Sequence, residues 1–439
     1  MRPRRSDRRT EPRPVGPPGF AARRAAAELV EGVLRRNRRL SEQAGEDGPL
    51  ARLGPADRAR AQALAATTLR HLPAIDRVLD AFLRRRPAGR ALTALRLAAA
   101  EMLVDGVAPH AAADAAVTLT RGHPKTRHLA PLVNAVSRRL ATEGPARWAE
   151  IPPRRLPPWL EAPVIAAWGE AAADTIAQVQ GGRPPLDITP KNPEAAEILA
   201  ERLGGDLLPT GSLRLPGRVQ VSALPGYDEG EWWVQDAAAA LPARMLGIRP
   251  GEPVLDLCAA PGGKTLQLAA AGGLVTALDI SAPRLERLRE NLARTGLDAE
   301  IVVADALAWT PEQPWGAILI DAPCSATGTI RRHPDLPHLR NAGDIEPLVA
   351  LQARLLDRAW EWLRPGGRLV YAVCSLIPAE GEEQVAAFLR RTPGAQRLRP
   401  DIALPEGWLD SEGALRTRPD FWAETGGVDG FHAALIGKA

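Results

Sequence analysis

The sequence predicts an α/β protein. A Rossmann-like, doubly wound parallel sheet is preceded by a small α+β region and an all-helical domain. Three observations carry this. From Gln235 onward, short apolar runs alternate with helical stretches, the pattern of a parallel sheet with crossover helices. Before about residue 145 the chain is rich in Ala, Leu and Arg, with apolar residues three and four apart. No tryptophan precedes Trp148, and a proline cluster follows (Pro152, Pro153, Pro157, Pro158), which sets a boundary near residue 145. A length of 439 residues accommodates about three domains.

Residues 1–18 are rich in Arg and Pro, and a disordered basic tail is expected there. Residues 19–145 read as helices. Ala27, Leu29, Val30, Val33 and Leu34 repeat at helical spacing, as do Leu64, Leu69, Ile75, Leu79 and Phe82, then residues 91–104 and 131–140. Residues 146–234 form a small α+β region, with a helix or two over 159–179 and a weakly alternating strand over 213–221. In residues 235–439 the expected strands are 253–257, 274–280, 301–303, 317–320 and 369–374, with helices over 284–294 and 348–363. Arg364-Pro-Gly-Gly367 stops the last helix and turns into the next strand.

Composition narrows the function. The front 145 residues hold 27 Lys and Arg against 14 Asp and Glu, while the remainder is net acidic. A basic segment on an acidic body suggests a footprint for a polyanion, with a solubilising arginine-rich surface as the alternative. No run of about 18 apolar residues exists, so no membrane span is expected. The basic N-terminus has no apolar segment behind it, unlike a secretory signal. Three cysteines without close pairing argue against a disulfide framework and fit a reducing cytoplasm. Scattered histidines and the lack of Cys-x-x-Cys predict no metal site.

The chemistry concentrates after three strands. Val254-Leu-Asp-Leu-Cys-Ala-Ala-Pro-Gly-Gly-Lys-Thr265 is a strand followed by a glycine loop and a helix start, which lets backbone N–H groups approach a ligand. As a phosphate loop it matches the end of G-x-x-x-x-G-K-T, but Cys258 replaces the first glycine, which permits the tight wrap. As an S-adenosylmethionine loop it is joined by acids at strand ends: Asp279 for ribose hydroxyls, Asp305 for the adenine amine, and Asp321. Each acid alone could be a turn former, but three in register favour S-adenosylmethionine. Asp321-Ala-Pro-Cys324 and Val373-Cys374-Ser375 each add a thiol at a strand end. Carbon 5 of a pyrimidine is a poor nucleophile until a thiolate adds next to it, and this set supplies such a thiolate. Cys258 belongs to the cofactor loop and is not expected to be a nucleophile. Arg331-Arg-His-Pro-Asp335 follows the first thiol. Arg331 and Arg332 could hold an RNA phosphate and His333 could lie near the base, or the loop could be merely solvated. Trp232 and Trp233 could stack bases, though packing is the commoner use.

These residues resemble the Nol/Nop/Sun-type RNA cytosine-5 methyltransferases, from about Trp232 to Gly437. The likeness rests on Val234-Gln-Asp236, Leu257-Cys-Ala-Ala-Pro-Gly-Gly-Lys264, Asp321-Ala-Pro-Cys-Ser325, Arg331-Arg-His-Pro-Asp335, Val373-Cys-Ser375 and Asp429-Gly-Phe431. The helical front resembles the NusB-like domain of RNA-binding antitermination factors, through Leu69-Arg70, Ile75-Asp-Arg-Val-Leu-Asp80 and Val133-Asn-Ala-Val136. The combination is similar to the bacterial small-subunit ribosomal RNA branch, the Sun/RsmB type. The resemblance implies a class I S-adenosylmethionine-dependent fold and Cys374 as the nucleophile. It implies Cys324 as the residue that helps release product, with Asp321 and Lys264 assisting. Cofactor contacts would come from Cys258, Ala259, Ala260, Pro261, Gly262, Gly263, Lys264, Asp279, Arg284, Asp305 and Asp321. RNA contacts would come from Arg331, Arg332 and His333.

Three positions depart from the family pattern: Val373 for the usual Thr, Ala326 for the usual Gly, and Leu186-Asp-Ile-Thr189 for the usual Leu-Arg-Val-Asn. The last puts an RNA contact in doubt. The expected function is cytosine-C5 methylation of RNA, 16S rRNA foremost, in the cytoplasm and without an obligate protein partner. The alternatives are a non-catalytic RNA-binding assembly factor, the same chemistry on tRNA, or a DNA cytosine methyltransferase using Cys324.

Overall fold

Six helices build the front of the chain: α1 (Phe20–Arg36), α2 (Pro55–Arg70), α3 (Leu72–Asp80), α4 (Arg90–Leu103), α5 (Pro109–Arg121) and α6 (Ala130–Ala149). The computed structural model describes residues 19–45, 47–217 and 219–439, so the expected basic tail over 1–18 lies outside the described residues. The apolar positions that the periodicity marks face one another: Leu29, Val33, Leu69, Ile75, Leu79, Leu95, Val133 and Leu140 are all buried in one core. Inside it, Arg23 Nε donates to both carboxylate oxygens of Glu101 at 2.9 Å, which neutralises two charges that could not be buried singly.

The helical unit ends later than the expected boundary near 145. Helix α6 continues to Ala149 because Trp148 packs on the helical core and meets the His71 ring edge-on at 5.9 Å. Pro145 sits inside α6, where its missing N–H removes one ladder bond without ending the helix. The unit runs through Pro153 and also takes in His333–Leu339 from the distant half of the sequence. In that segment Asp335 Oδ2 accepts from the Leu40 N–H at 2.9 Å, and His338 Nε2 lies 2.9 Å from the Leu69 carbonyl oxygen. A boundary drawn from local composition is contiguous and cannot include such a piece.

The second unit spans Arg154–Arg332 and Arg340–Ala439. It opens with α7 (Pro158–Gly181), which is two helices joined at Gly169 (φ 82°). Then come β1 (Leu186–Pro190), α8 (Ala196–Leu203), β2 (Asp206–Leu207), β3 (Leu213–Leu215) and β4 (Trp232–Val234). The four strands form a sheet in the order β2-β3-β1-β4, with β1 antiparallel to both neighbours. Trp232 and Trp233 are buried in this region, so they pack rather than stack bases.

The main sheet follows. Its first part is α9 (Leu241–Met245), β5 (Pro253–Leu257), α10 (Gly263–Ala270), β6 (Leu274–Asp279), α11 (Ala282–Thr295), β7 (Glu300–Val303) and β8 (Trp315–Asp321). After α12 (Leu336–Leu339), which belongs to the helical unit, come α13 (Ile345–Trp362), β9 (Leu363–Val373), α14 (Glu382–Arg391), β10 (Ala395–Leu398), β11 (Leu415–Thr417) and β12 (Phe431–Lys438). The strand order is β10-β12-β9-β8-β5-β6-β7. Strands β5 to β9 pair in parallel, whereas β12 lies antiparallel between β9 and β10. Every parallel strand foreseen from sequence is present. The reversed strand was not foreseen, because an apolar run at the chain's end does not disclose its direction. Residues Leu257, Asp279, Val303, Asp321 and Val373 therefore end adjacent strands along one edge, where ligands of open parallel sheets bind.

Position 187 has its own explanation. Asp187 on β1 lies opposite Arg214 on β3 and takes it bidentately, at 2.8 Å from Nε and 2.9 Å from Nη2. Asp187 is fully buried, so this departure from the family pattern is part of the fold. Removing the carboxylate strands a buried guanidinium. Asp187→Ala is expected to destabilise the second unit by about 3–5 kcal/mol, seen as a lower urea midpoint. The double variant Asp187→Leu/Arg214→Met should lose far less, and an equal loss would rule out the stranded charge as the cause.

Candidate active site

The loop after β5 begins at Cys258, whose φ of 61° turns the chain sharply away from the strand. Gly262 has a φ of 107°, and a Cβ there would lie 2.3 Å from Leu288 of α11, so only glycine fits. The loop is held by Asp279 at the end of β6. Its two oxygens accept from the backbone N–H groups of Ala260 at 3.1 Å and Ser281 at 2.8 Å. Arg284 donates to the Ala260 carbonyl and lies 3.8 Å from Asp279. Asp305 is exposed after β7, and its Oδ1 accepts from the Leu307 N–H at 2.9 Å, as in a turn.

Helix α10 starts at Gly263 and carries Lys264 on its first turn. Lys264 Nζ lies 2.7 Å from Asp321 Oδ2, at the end of β8, and 5.2 Å from the centre of the Phe431 ring. Burial works to strip the proton from Lys264. The Asp321 charge and hydrogen bond, helped by Cys374 and Asp256, outweigh it and leave the lysine pKa above its ordinary value. Beneath them Asp256 is fully buried, with Oδ2 2.6 Å from the Thr265 hydroxyl and Oδ1 without a partner among the described residues. Burial pushes its pKa up to about 7 against that hydrogen bond, and the charge of Asp321 adds to the rise.

The β8–β9 register sets Asp321 beside Ala372 and so carries both cysteine loops off the same edge. Cys324 Sγ lies 3.4 Å from Cys374 Sγ. Cys374 is partly exposed and Cys324 is buried. The hydrogen bond to Cys374, then burial, raises the Cys324 pKa well above that of a free thiol, so Cys324 keeps its proton. Burial raises Cys258 too, reinforced by Asp279, Asp321 and Asp256. Cys258 therefore keeps its proton.

A residue that sequence reasoning missed holds the two cysteine loops together. Glu380 is fully buried. Its Oε2 accepts from the hydroxyls of Ser325 and Ser375, each at 2.5 Å. Its Oε1 accepts from the Ser325 N–H at 2.8 Å and from Gln352 Nε2 at 3.0 Å. The available signal was that a serine follows each cysteine. Nearby, Ala326 adopts φ 59°, a left-handed conformation in which the family's usual glycine is unstrained and alanine costs about 1 kcal/mol. Val373 is buried in the apolar core, where its side chain packs without needing the hydroxyl of the usual threonine.

The arginines expected to hold RNA are placed otherwise. Arg331 is fully buried, paired with Asp236 and with Asp429 at 2.6 Å. Arg332 joins the same two carboxylates and is 21% exposed. Local sequence shows two charges after a thiol, and not the acids at 236 and 429 that bury them. His333 is exposed and belongs to the helical unit.

Two outcomes follow from this geometry. Glu380→Ala leaves two hydroxyls and an amide N–H buried without their acceptor. It should lower stability by about 2–4 kcal/mol and, by loosening both thiol loops, reduce kcat more than it raises KM. Unchanged kcat would remove Glu380 from the positioning role. The second outcome concerns pH. Asp256 titrates near 7 when folded and at about 3.9 when unfolded. The folded state therefore binds more protons between these values, and this group's stabilising contribution is full below about pH 4 and lost as pH rises through 7. Asp256→Asn should remove that decline, so its urea midpoint relative to wild type should rise from pH 5 to pH 8. A difference that does not change with pH would refute the buried neutral acid.

Comparison with known proteins agrees with this geometry. Residues 243–437 match the 16S rRNA methyltransferase RsmB/F family, and residues 21–142 match the NusB family. The chain is 38% identical over 438 residues to the ribosomal RNA small subunit methyltransferase B of Xanthomonas campestris pv. campestris, covering 96% of this chain and 98% of that one. It is 38% identical over 443 residues to the protein of the same name from Pseudomonas putida, again covering 96% and 98%. A solved methyltransferase homolog from Pyrococcus horikoshii matches 64% of this chain and 94% of its own, with a TM-score of 0.55 and 30% identity. With a NusB-family front and these paired thiols at the edge of a methyltransferase sheet, the chain belongs to the RsmB/F family of 16S rRNA methyltransferases.

Proposed function

We propose that this protein methylates carbon 5 of a cytosine in 16S rRNA, in the cytoplasm, through a covalent bond between Cys374 and carbon 6 of the ring. The observation that carries this reading is the pair of thiols 3.4 Å apart, beside a Lys264–Asp321 contact of 2.7 Å.

The cofactor is S-adenosylmethionine, which when bound supplies an electrophilic methyl group. The residues present fit it. Asp279, Asp305 and Asp321 lie along the strand-end edge with carboxylates that accept hydrogen bonds from hydroxyls and amines and offset a cationic ligand. A nucleoside triphosphate would fit poorly, since the loop's one cation, Lys264, is committed to Asp321 and Cys258 stands where a phosphate loop needs glycine.

The target cytosine leaves its stack to reach the site. The Cys374 thiolate adds to C6, and the ring's electron pair moves toward C5, making C5 nucleophilic. Asp321 accepts a hydrogen bond from the exocyclic amine, and Lys264 holds Asp321 and offsets charge that develops on the ring. After C5 is methylated its proton must leave. Once Cys374 is bound to carbon it no longer carries charge. The C5 proton passes to a water that Cys324 positions, or to Cys324 itself once that thiol has given its own proton to solvent. Loss of that proton re-forms the C5–C6 double bond and expels Cys374 as thiolate.

The test is transfer of labelled methyl from S-adenosylmethionine to protein-free 16S rRNA, with the product base mapped. Wild type should form 5-methylcytidine. Cys374→Ala should form none while still binding the cofactor by calorimetry, and activity in that variant would overturn the assignment. Cys324→Ala should accumulate a protein–RNA adduct that survives denaturing gels, and free release of methylated RNA would remove Cys324 from the release step.

A further inference from the structure

Some of the front unit's arginines are ion-paired and others are not, and one group of the latter lies on a single helix pair. Arg23, Arg86, Arg90, Arg96 and Arg139 each pair with a carboxylate. Arg121, Lys125, Arg127 and Arg138 do not. All four are exposed, and none has an acidic partner among the described residues. From Ala115 to Thr142 the sequence holds no Asp or Glu. Arg121 ends α5, Arg138 lies on α6, and Lys125 and Arg127 stand in the loop that joins them. Histidines 123 and 128 share that loop.

The same two helices enclose a groove of about 600 Å³, lined by Arg121 and Arg138 together with His110, Asp114, Asn134 and Ser137. That volume is enough for one nucleotide. Asp114 is the one carboxylate in the lining. With the Asn134 amide it offers acceptors and donors suited to a base edge or a 2′-hydroxyl. The sequence reading gives a polyanion footprint to the front segment as a whole, and neither it nor the catalytic chemistry singles out this face.

We propose that the α5–α6 face docks RNA, with Arg121, Lys125, Arg127 and Arg138 holding backbone phosphates and the groove taking one unpaired nucleotide. Four cations without counter-ions gain most from a polyanion, since each phosphate they neutralise releases condensed ions. The inference rests on the reading that the substrate is RNA, and it names which surface of the front unit captures that substrate.

The experiment measures binding of a fluorescent 16S rRNA fragment to the full chain by anisotropy across a salt series. The variant is Arg121→Gln/Lys125→Gln/Arg127→Gln/Arg138→Gln. A control variant, Arg52→Gln/Arg58→Gln/Arg84→Gln/Arg85→Gln, removes the same charge from exposed positions elsewhere on the unit. The patch variant should bind on the order of 100-fold more weakly near 0.1 M salt, and its log–log salt slope should shrink by about 3. Its kcat at saturating RNA should be unchanged and its thermal midpoint should match wild type. Equal losses in both variants, or an unchanged slope in the patch variant, would overturn the proposal. So would poly-L-glutamate displacing RNA from wild type as well as unlabelled RNA does, since the face would then suit acidic protein. Failure of wild type to transfer methyl while the patch variant loses RNA binding would sink the catalytic reading and leave this one standing.

Discussion

Six charged side chains meet in one cluster of the catalytic unit: Asp187, Asp236 and Asp429 against Arg214, Arg331 and Arg332. Five are almost wholly buried. Taking one such charge from water costs several kcal/mol, so the cluster can exist only as a complete, neutral set with its hydrogen bonds made. Arg214 completes its bonding on the carbonyls of Thr425 and Gly427, and Arg331 on that of Gly426. Burial works against the charge on Asp236, but Arg332 and Arg331 more than compensate and hold its pKa well below the usual carboxylate range. Asp429 is pushed upward by burial and by Asp236. The cluster therefore joins the small sheet, the segment before α9, the stretch after the Cys324 loop and the approach to β12. The loops that frame the thiols have their far ends fixed by it.

On that base the site separates two thiols of the same chemical type by environment. Both leave adjacent parallel strands, and the β8–β9 register brings them together. Glu380, bonded to the serine after each cysteine, keeps them together. Their difference comes from exposure. Cys324 is buried, and its contact with Cys374 together with burial keeps its proton on, while Cys374 is partly exposed. Lys264 sits where it feels both Asp321 and Cys374. One cation thereby offsets negative charge on either group.

Much of this was legible in the sequence because the information was local. Strands that run up to Cys258, Asp279, Asp321 and Cys374 read as apolar runs with polar stops, and a parallel sheet then aligns their ends. Helical spacing in the front segment marked Leu29, Leu69, Ile75 and Leu79 as core, and they are buried. What escaped was set by partners distant in sequence. Arg331 and Arg332 look like an RNA-binding pair until Asp236 and Asp429 are placed against them. Asp187 looks like a lost contact until Arg214 appears across β1 and β3. Glu380 lies in an unremarkable acidic stretch, and only the meeting of Ser325 with Ser375 gives it a purpose. The same holds for His333–Leu339, which packs within a unit whose other residues precede it by some 180 positions.

The division of charge along the chain follows from the two ligands it must serve. A sulfonium cofactor carries positive charge, and carboxylates at strand ends suit it. Those carboxylates add to an already acidic catalytic part, which opposes a polyanionic substrate at distances up to the Debye length, about 8 Å at physiological salt. Attraction for RNA must then come from elsewhere in the chain. The catalytic half cannot supply it with Arg331 and Arg332, since the fold consumes both in neutralising Asp236 and Asp429. The front domain has the surplus, and from Ala115 to Thr142 its cations have no acid in the local sequence. On the proposed reading, capture and chemistry fall to different domains because a single surface could not be acidic for the cofactor and basic for the substrate at once.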